Sequence, residues 1–298
     1  MQMQSRSDAH TSGQSVGIVL MIAAMLVIPI VDGLAKYLSA DHSPLFISWA
    51  RYAASTALIL PIAFARGGRR VLPTDGISLH ALRTLCLVGA MTLYFFSISK
   101  VSLVMAASAY FVGPLVAVAL SVIFLGERLT VAKVLGMLVG LIGALIVLQP
   151  SGDFDAYALL ALGAGCLFAV YLVITRRTSA QSEPIRTLSF QCIFGTLLLT
   201  PPALFVAEIP AYDLMPLFVG LGLFSLLGHF LTIIAFQKAE ASTLAPLVYV
   251  ELIGAAVIGF LVFSDVPTLS TVAGAVLIAA AGLIVSINGK GRGQKANS

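Results

Sequence analysis

Five ionisable side chains lie within or at the edges of long apolar runs: Asp32, Lys36, Arg51, His229 and Glu251. A charge near the centre of a bilayer costs about 3 kcal/mol even on lenient insertion scales, so each one needs a reason. Glu251 closes the stretch Pro246-Leu247-Val248-Tyr249-Val250-Glu251, ten residues into its run. At 1.5 Å per residue that places it about 15 Å deep. A carboxyl group there can take up and release a proton, or receive an ammonium group. Bonded to a neighbouring helix, it would instead be structural. Arg51, beside Trp49 and Tyr52, can clamp a carboxylate through two parallel hydrogen bonds, or snorkel to the surface. Asp32 and Lys36 are spaced i, i+4, so they can pair with each other. Asp32 with Arg51 is the competing pair. Asp32, Lys36 and Glu251 are therefore the candidates for ion pairing or proton coupling.

His229 follows Ser225 by four residues, which puts both on one helix face. A hydrolytic dyad would need a nucleophile motif and a third orienting group. Neither GxSxG nor HExxH occurs in the chain. A His that lines a cavity or bridges two helices fits better, and the chain is not expected to be an enzyme. Tyr94, Tyr110, Tyr171 and Tyr249 stand among or near phenylalanines, and Tyr110 and Tyr249 lie near Pro114 and Pro246. These two can form an apolar pocket whose hydroxyls orient a ligand. With Arg51, His229 and Glu251 the four tyrosines make up the candidate binding set. Cys86, Cys166 and Cys192 show no metal-ligand spacing and read as buried apolar filler. No metal or cofactor is expected.

The elements that must hold these residues are membrane helices. Of 298 residues 59% are apolar and only 10% are charged, and mean hydropathy is +1.02. A soluble globule carries roughly a quarter charged residues. Ten runs are long enough to span: 16–39, 44–65, 80–99, 103–125, 130–149, 156–175, 184–207, 213–237, 241–263 and 268–288. Residues 1–15 are a polar tail rather than a signal peptide, and 289–298 form a second tail. If the N-terminus is cytoplasmic, all but three of the 17 bases fall on that side, leaving Lys36, Arg51 and Lys100 for the other. The positive-inside rule then predicts both termini inside. Arg83 counts among the inner bases in this reading.

The chain also repeats itself. Residues 93–150 align without a gap on 231–288 at an offset of 138: Lys100 on Lys238, Thr130 on Thr268, Gly136 on Gly274. An odd unit of five helices forces the second copy, 156–288, to enter the membrane opposite to the first, 16–150. Inverted halves give one fold two facing states, the basis of alternating access. Pro29, Pro114 and Pro246 are expected to break or bend their helices. The glycines of the fifth and tenth runs mark close packing, behind each half or at a dimer contact.

The segment Gly126-Glu127-Arg128-Leu129-Thr130, followed by a Gly-rich run ending Leu145-Ile146-Val147, resembles the EamA-type family of the drug/metabolite transporter superfamily. The second copy reads Ser264-Asp265-Val266-Pro267-Thr268 there, keeping an acid and Thr but losing Gly and Arg. Locally, Glu127 reads as a lock of its own helix hairpin, with Thr130 as the N-cap of the next helix. The resemblance implies an all-α polytopic protein of two inverted five-helix repeats, with helices 1, 3, 4, 6, 8 and 9 around a central cavity. It also implies a secondary transporter of a small organic metabolite in a bacterial cytoplasmic membrane. One deep acid and one outer base favour an amino acid or related zwitterion, with possible proton coupling. A vitamin or nucleotide-like metabolite is the alternative. The expected partners are the substrate and the lipid bilayer, not nucleic acid, and the protein is a monomer or homodimer.

Overall fold

The structure is a computed structural model describing residues 2–68, 70–98, 109–148, 156–179, 181–206, 210–263, 266 and 268–295. Lys100, Arg69, the break Pro150-Ser151-Gly152-Asp153, and Ser264, Asp265 and Pro267 lie outside the described residues. The described residues contain helices, turns and bends but no strand. The helices are α1 (Gln2–Leu38), α2 (Pro44–Gly67), α3 (Ile77–Ile98), α4 (Gly113–Leu125), α5 (Val131–Leu148), α6 (Ala156–Ser179), α7 (Pro184–Leu204) and α8 (Met215–Lys238). A single turn α9 (Ala241–Leu244) continues through a 3-10 stretch (Ala245–Val250) into α10 (Glu251–Phe263), and α11 covers Leu269–Lys295. Among the described residues, seven stretches are long and apolar enough to cross a membrane, and three shorter apolar helices accompany them. This is an integral, multi-pass membrane protein. The first span begins at Gly13, and helix continues outward into the polar tail as far as Gln2.

Proline explains where several elements start. Pro44, Pro184 and Pro114 stand in the first turn of α2, α7 and α4, where the missing N–H has no partner to lose. Pro29 lies within α1, and Pro246 lies in the 3-10 stretch that interrupts the ninth run. Bases gather at one set of helix ends, with Lys36 in the last turn of α1 lying outside it. Arg66, Arg176 with Arg177, and Lys238 occupy the last turns of α2, α6 and α8. We call this the basic end of the bundle.

Packing is pairwise: α1 lies along α8, α3 along α6, α2 along α7, and α5 along α11. α4 rests on α6, and α10 rests on α1. The α5–α11 seam is as close as its glycines predict. A Cβ on Gly143 would stand 2.8 Å from the Gly274 carbonyl oxygen. Between α2 and α7 the Thr56 hydroxyl donates to Thr196 Oγ1 at 2.9 Å, since Thr196 donates its own proton to the Cys192 carbonyl at 2.8 Å. Large apolar side chains such as Ile123, Phe124 and Val131 face outward, as lipid requires. Cys86 and Cys192 are buried as expected. Cys166 is exposed on α6, so it is not core filler.

The tightest approach fixes the start of α4 against α6. A Cβ on Gly165 would lie 2.3 Å from the Tyr110 carbonyl oxygen, and one on Gly113 would lie 2.7 Å from the Gly165 oxygen. Backbone cannot swing aside as a flexible side chain does, so Gly165→Ala should destabilise by about 1–3 kcal/mol. Thermal unfolding of the detergent-solubilised protein checks this. An unchanged midpoint would mean that α4 yields freely.

Candidate functional site

An aromatic chain runs through the middle of the bundle. Ring centroids are 4.9 Å apart for Tyr94 and Tyr110, 5.5 Å for Tyr110 and Phe168, 5.6 Å for Phe168 and Tyr171, and 6.1 Å for Tyr171 and His229. These rings come from α3, the residues preceding α4, α6 and α8. Four of the six helices expected around a cavity therefore meet here. Asp32 of α1 and Glu251 at the head of α10 complete the ring. Both acids are half-buried, each lies within reach of the other's charge, and both are felt by Tyr94 and Tyr110.

Arg51 approaches from α2. It is 4% exposed, stacks on the Tyr52 ring at 4.8 Å, and leaves Nε and Nη2 without a hydrogen-bond partner. It does not snorkel. The acid that feels its charge is Asp32. Lys36 is exposed one turn beyond Asp32. His229 bridges helices, its Nδ1 lying 3.3 Å from the Tyr171 hydroxyl.

Tyr249 does not join the chamber. It is fully buried, donates its hydroxyl to the Phe111 carbonyl at 3.2 Å, and lies so close to Gly140 of α5 that a Cβ there would meet its ring at 2.8 Å. Among the described residues its ring reaches the aromatic chain only through Phe111, at 5.8 Å.

Two further groups stand differently from their sequence reading. Arg83, counted as a base of the inner surface, is fully buried on α3. Its Nε donates to Thr175 Oγ1 at 2.7 Å and its Nη2 to the Tyr171 hydroxyl at 3.3 Å. The helix begins at Ile77, three residues before the apolar run suggests, and this carries Arg83 inward.

Glu127 is the second. It does not lock its own hairpin. Its carboxylate accepts the backbone N–H of Ala241 at 2.9 Å and of Ser242 at 2.7 Å, at the start of α9. Beside it Lys133 bonds the Glu240 carboxylate, Ser242 Oγ at 2.6 Å and the Arg128 carbonyl. Thr130 does cap α5, accepting the Lys133 N–H at 3.3 Å. A cleft of about 590 Å³ opens at this basic end between Glu127, Arg128, Arg176, Arg177, Gln181 and Glu240. Two charge-assisted bonds from a nearly buried carboxylate contribute about 3 kcal/mol. Glu127→Ala should therefore lower the unfolding temperature clearly, and Glu127→Gln, which keeps one acceptor oxygen, should lower it less. Equal midpoints for all three proteins would refute the tie.

A bundle of membrane helices around a polar interior fits many carriers, and comparison with known proteins narrows the choice. The sequence pattern of the EamA-like transporter family matches residues 15–149 and again 156–287. The chain belongs to the EamA-like transporter family. That membership and the names of its relatives indicate a transporter rather than an enzyme. Among EamA-type relatives it is similar to an S-adenosylmethionine uptake transporter of Rickettsia bellii, 28% identical over 91% of this chain and 93% of that protein. A riboflavin transporter of Vibrio cholerae is 29% identical over 84% and 86%. A pseudopaline exporter of Pseudomonas aeruginosa is 28% identical over 92% and 97%. One crystal structure superposes with a TM-score of 0.78 at 18% identity, covering 95% of this chain and 98% of its own, which marks a shared fold.

Proposed function

We propose that this EamA-type protein is a secondary carrier of a small organic metabolite bearing an amino-acid head group, working by alternating access. The observation that carries the reading is the set of charges gathered around the aromatic chain: a buried guanidinium with two unpartnered nitrogens, Arg51, and two half-buried carboxyl groups, Asp32 and Glu251. A zwitterion satisfies both, with its carboxylate on Arg51 and its cationic group toward the acids. S-adenosylmethionine, with a carboxylate, an ammonium and a sulfonium, has this charge pattern. Riboflavin has no carboxylate and would leave Arg51 unpaired. A site left with buried unpaired donors discriminates strongly against such a ligand.

Ten spans in two inverted halves, 16–150 and 156–288, are part of the proposal. The tandem family match supports it. So does the packing. Advancing every helix by one half turns the α1–α8 pair into α6–α3, and the α4–α6 pair into the contact of the broken ninth run with α1. Phe111 and Tyr249, which touch, are equivalents at the offset of 138. The basic end is cytoplasmic by the positive-inside rule, in a bacterial cytoplasmic membrane. The chain has no GxxxxGK[ST] motif for an ATP motor, so a gradient drives the cycle, with Glu251 and Asp32 as the proton-exchanging groups.

The test is counterflow into proteoliposomes with a panel of S-adenosylmethionine, free amino acids and riboflavin, each with and without a pH gradient. Saturable exchange of the zwitterions is expected. Riboflavin exchange with no zwitterion exchange would overturn the substrate class.

A further inference from the structure

We infer that Arg83 is a second oxyanion station, on the basic side of the chamber, which the substrate carboxylate occupies after leaving Arg51. The inference rests on the carrier reading above. Arg83 is fully buried, and no carboxylate lies within ion-pairing distance of it among the described residues. Its partners are neutral: Thr175 Oγ1, the Tyr171 hydroxyl, and the Tyr171 ring with its centroid 4.9 Å from the guanidinium carbon. Nη1 has no partner. Leaving a charge desolvated and unpaired costs several kcal/mol, so a fixed structural role for this arrangement is expensive. A visiting anion removes that cost.

Placement gives the station its meaning. Arg51 is the eighth residue of α2 and Arg83 the seventh of α3, and the two helices enter the membrane from opposite ends. At 1.5 Å per residue each guanidinium stem starts about 10 Å from its own surface, which leaves about 10 Å between them across a 30 Å core. Tyr171 and His229 fill that gap: Tyr171 bonds Arg83 and meets His229, which feels the charge of both arginines. In this structure Arg83 is sealed from water while Asp32, Tyr94 and Glu251 are partly open, and the Glu127 tie holds the basic end. Opening of that end would uncover Arg83.

Two measurements on the full-length protein in proteoliposomes test this. The first needs no substrate. Thr175→Cys, with Cys86, Cys166 and Cys192 changed to Ser, is labelled from the basic end with a sulfonate or a trimethylammonium methanethiosulfonate. The sulfonate should react faster, and Arg83→Gln should reduce that preference by about fivefold or more while Arg83→Lys retains it. Absence of labelling, or a preference that Arg83→Gln leaves intact, overturns the station.

The second compares S-adenosylmethionine with its decarboxylated analogue. Arg83→Gln should raise KM for the carboxylate compound from the basic end by about tenfold and leave the analogue unchanged. Equal effects on both compounds would mark Arg83 as structural and overturn the inference. If the wild type moves neither compound while the labelling preference holds, the substrate class is wrong and the anion site stands.

Discussion

Arg51→Ala is expected to lower kcat/KM for a carboxylate-bearing substrate by about a hundredfold or more. Truncating one partner of a buried, hydrogen-bonded charge pair costs about 3–5 kcal/mol, because the other charge is left desolvated. Arg51 meets the conditions for a loss of that size: it is 4% exposed, stacked on Tyr52, and its free nitrogens have no partner in the protein to fall back on. Arg51→Lys should recover only part of the loss, since an ammonium cannot reproduce the planar fork. The measurement is the initial rate of counterflow with matched substrates, one with and one without the carboxylate. Normal transport of the carboxylate substrate by Arg51→Ala would remove the residue from the binding site.

Glu251→Gln is the second large change. The amide keeps the volume and the hydrogen-bonding oxygen but cannot exchange a proton or hold a charge. Glu251 heads α10, where the 3-10 stretch gives way to regular helix, and it lies within reach of the Asp32 charge. Concentrative uptake driven by a pH gradient should fall by about tenfold or more, and the dependence of rate on pH should flatten. Exchange at equal pH should fall less, because it needs no net proton movement. A variant that kept both the rate and its pH dependence would show that coupling lies elsewhere.

The acids were legible because bilayer depth is counted directly along a sequence. Glu251 was singled out by its ten-residue distance from Ala241, whereas the meeting of Tyr94 with Tyr110 across two helices has no signal in the spacing. Arg83 was hidden by three residues: with the helix taken from His80 it lay at the surface, and with the helix from Ile77 it lies two turns in. Tyr249 looked like a neighbour of Glu251, yet the 3-10 geometry turns its ring onto Gly140. Glu127 was read as a lock of its own hairpin, but its partners are 114 and 115 residues away, and no local signal links them.

The hydrogen bond between Thr56 and Thr196 carries one more consequence. Thr196 gives its own proton to the Cys192 carbonyl at 2.8 Å, so Thr56 is the donor and Thr196 the acceptor. If the halves rock about this bond, it is kept in both facing states and favours neither. The resting bias must then come from contacts made at one end only, such as those of Glu127 and Lys133 with the start of α9. Such a machine is tuned from its rim rather than its axle: changing a single acid at the basic end shifts how long the carrier waits on each side without altering what it binds.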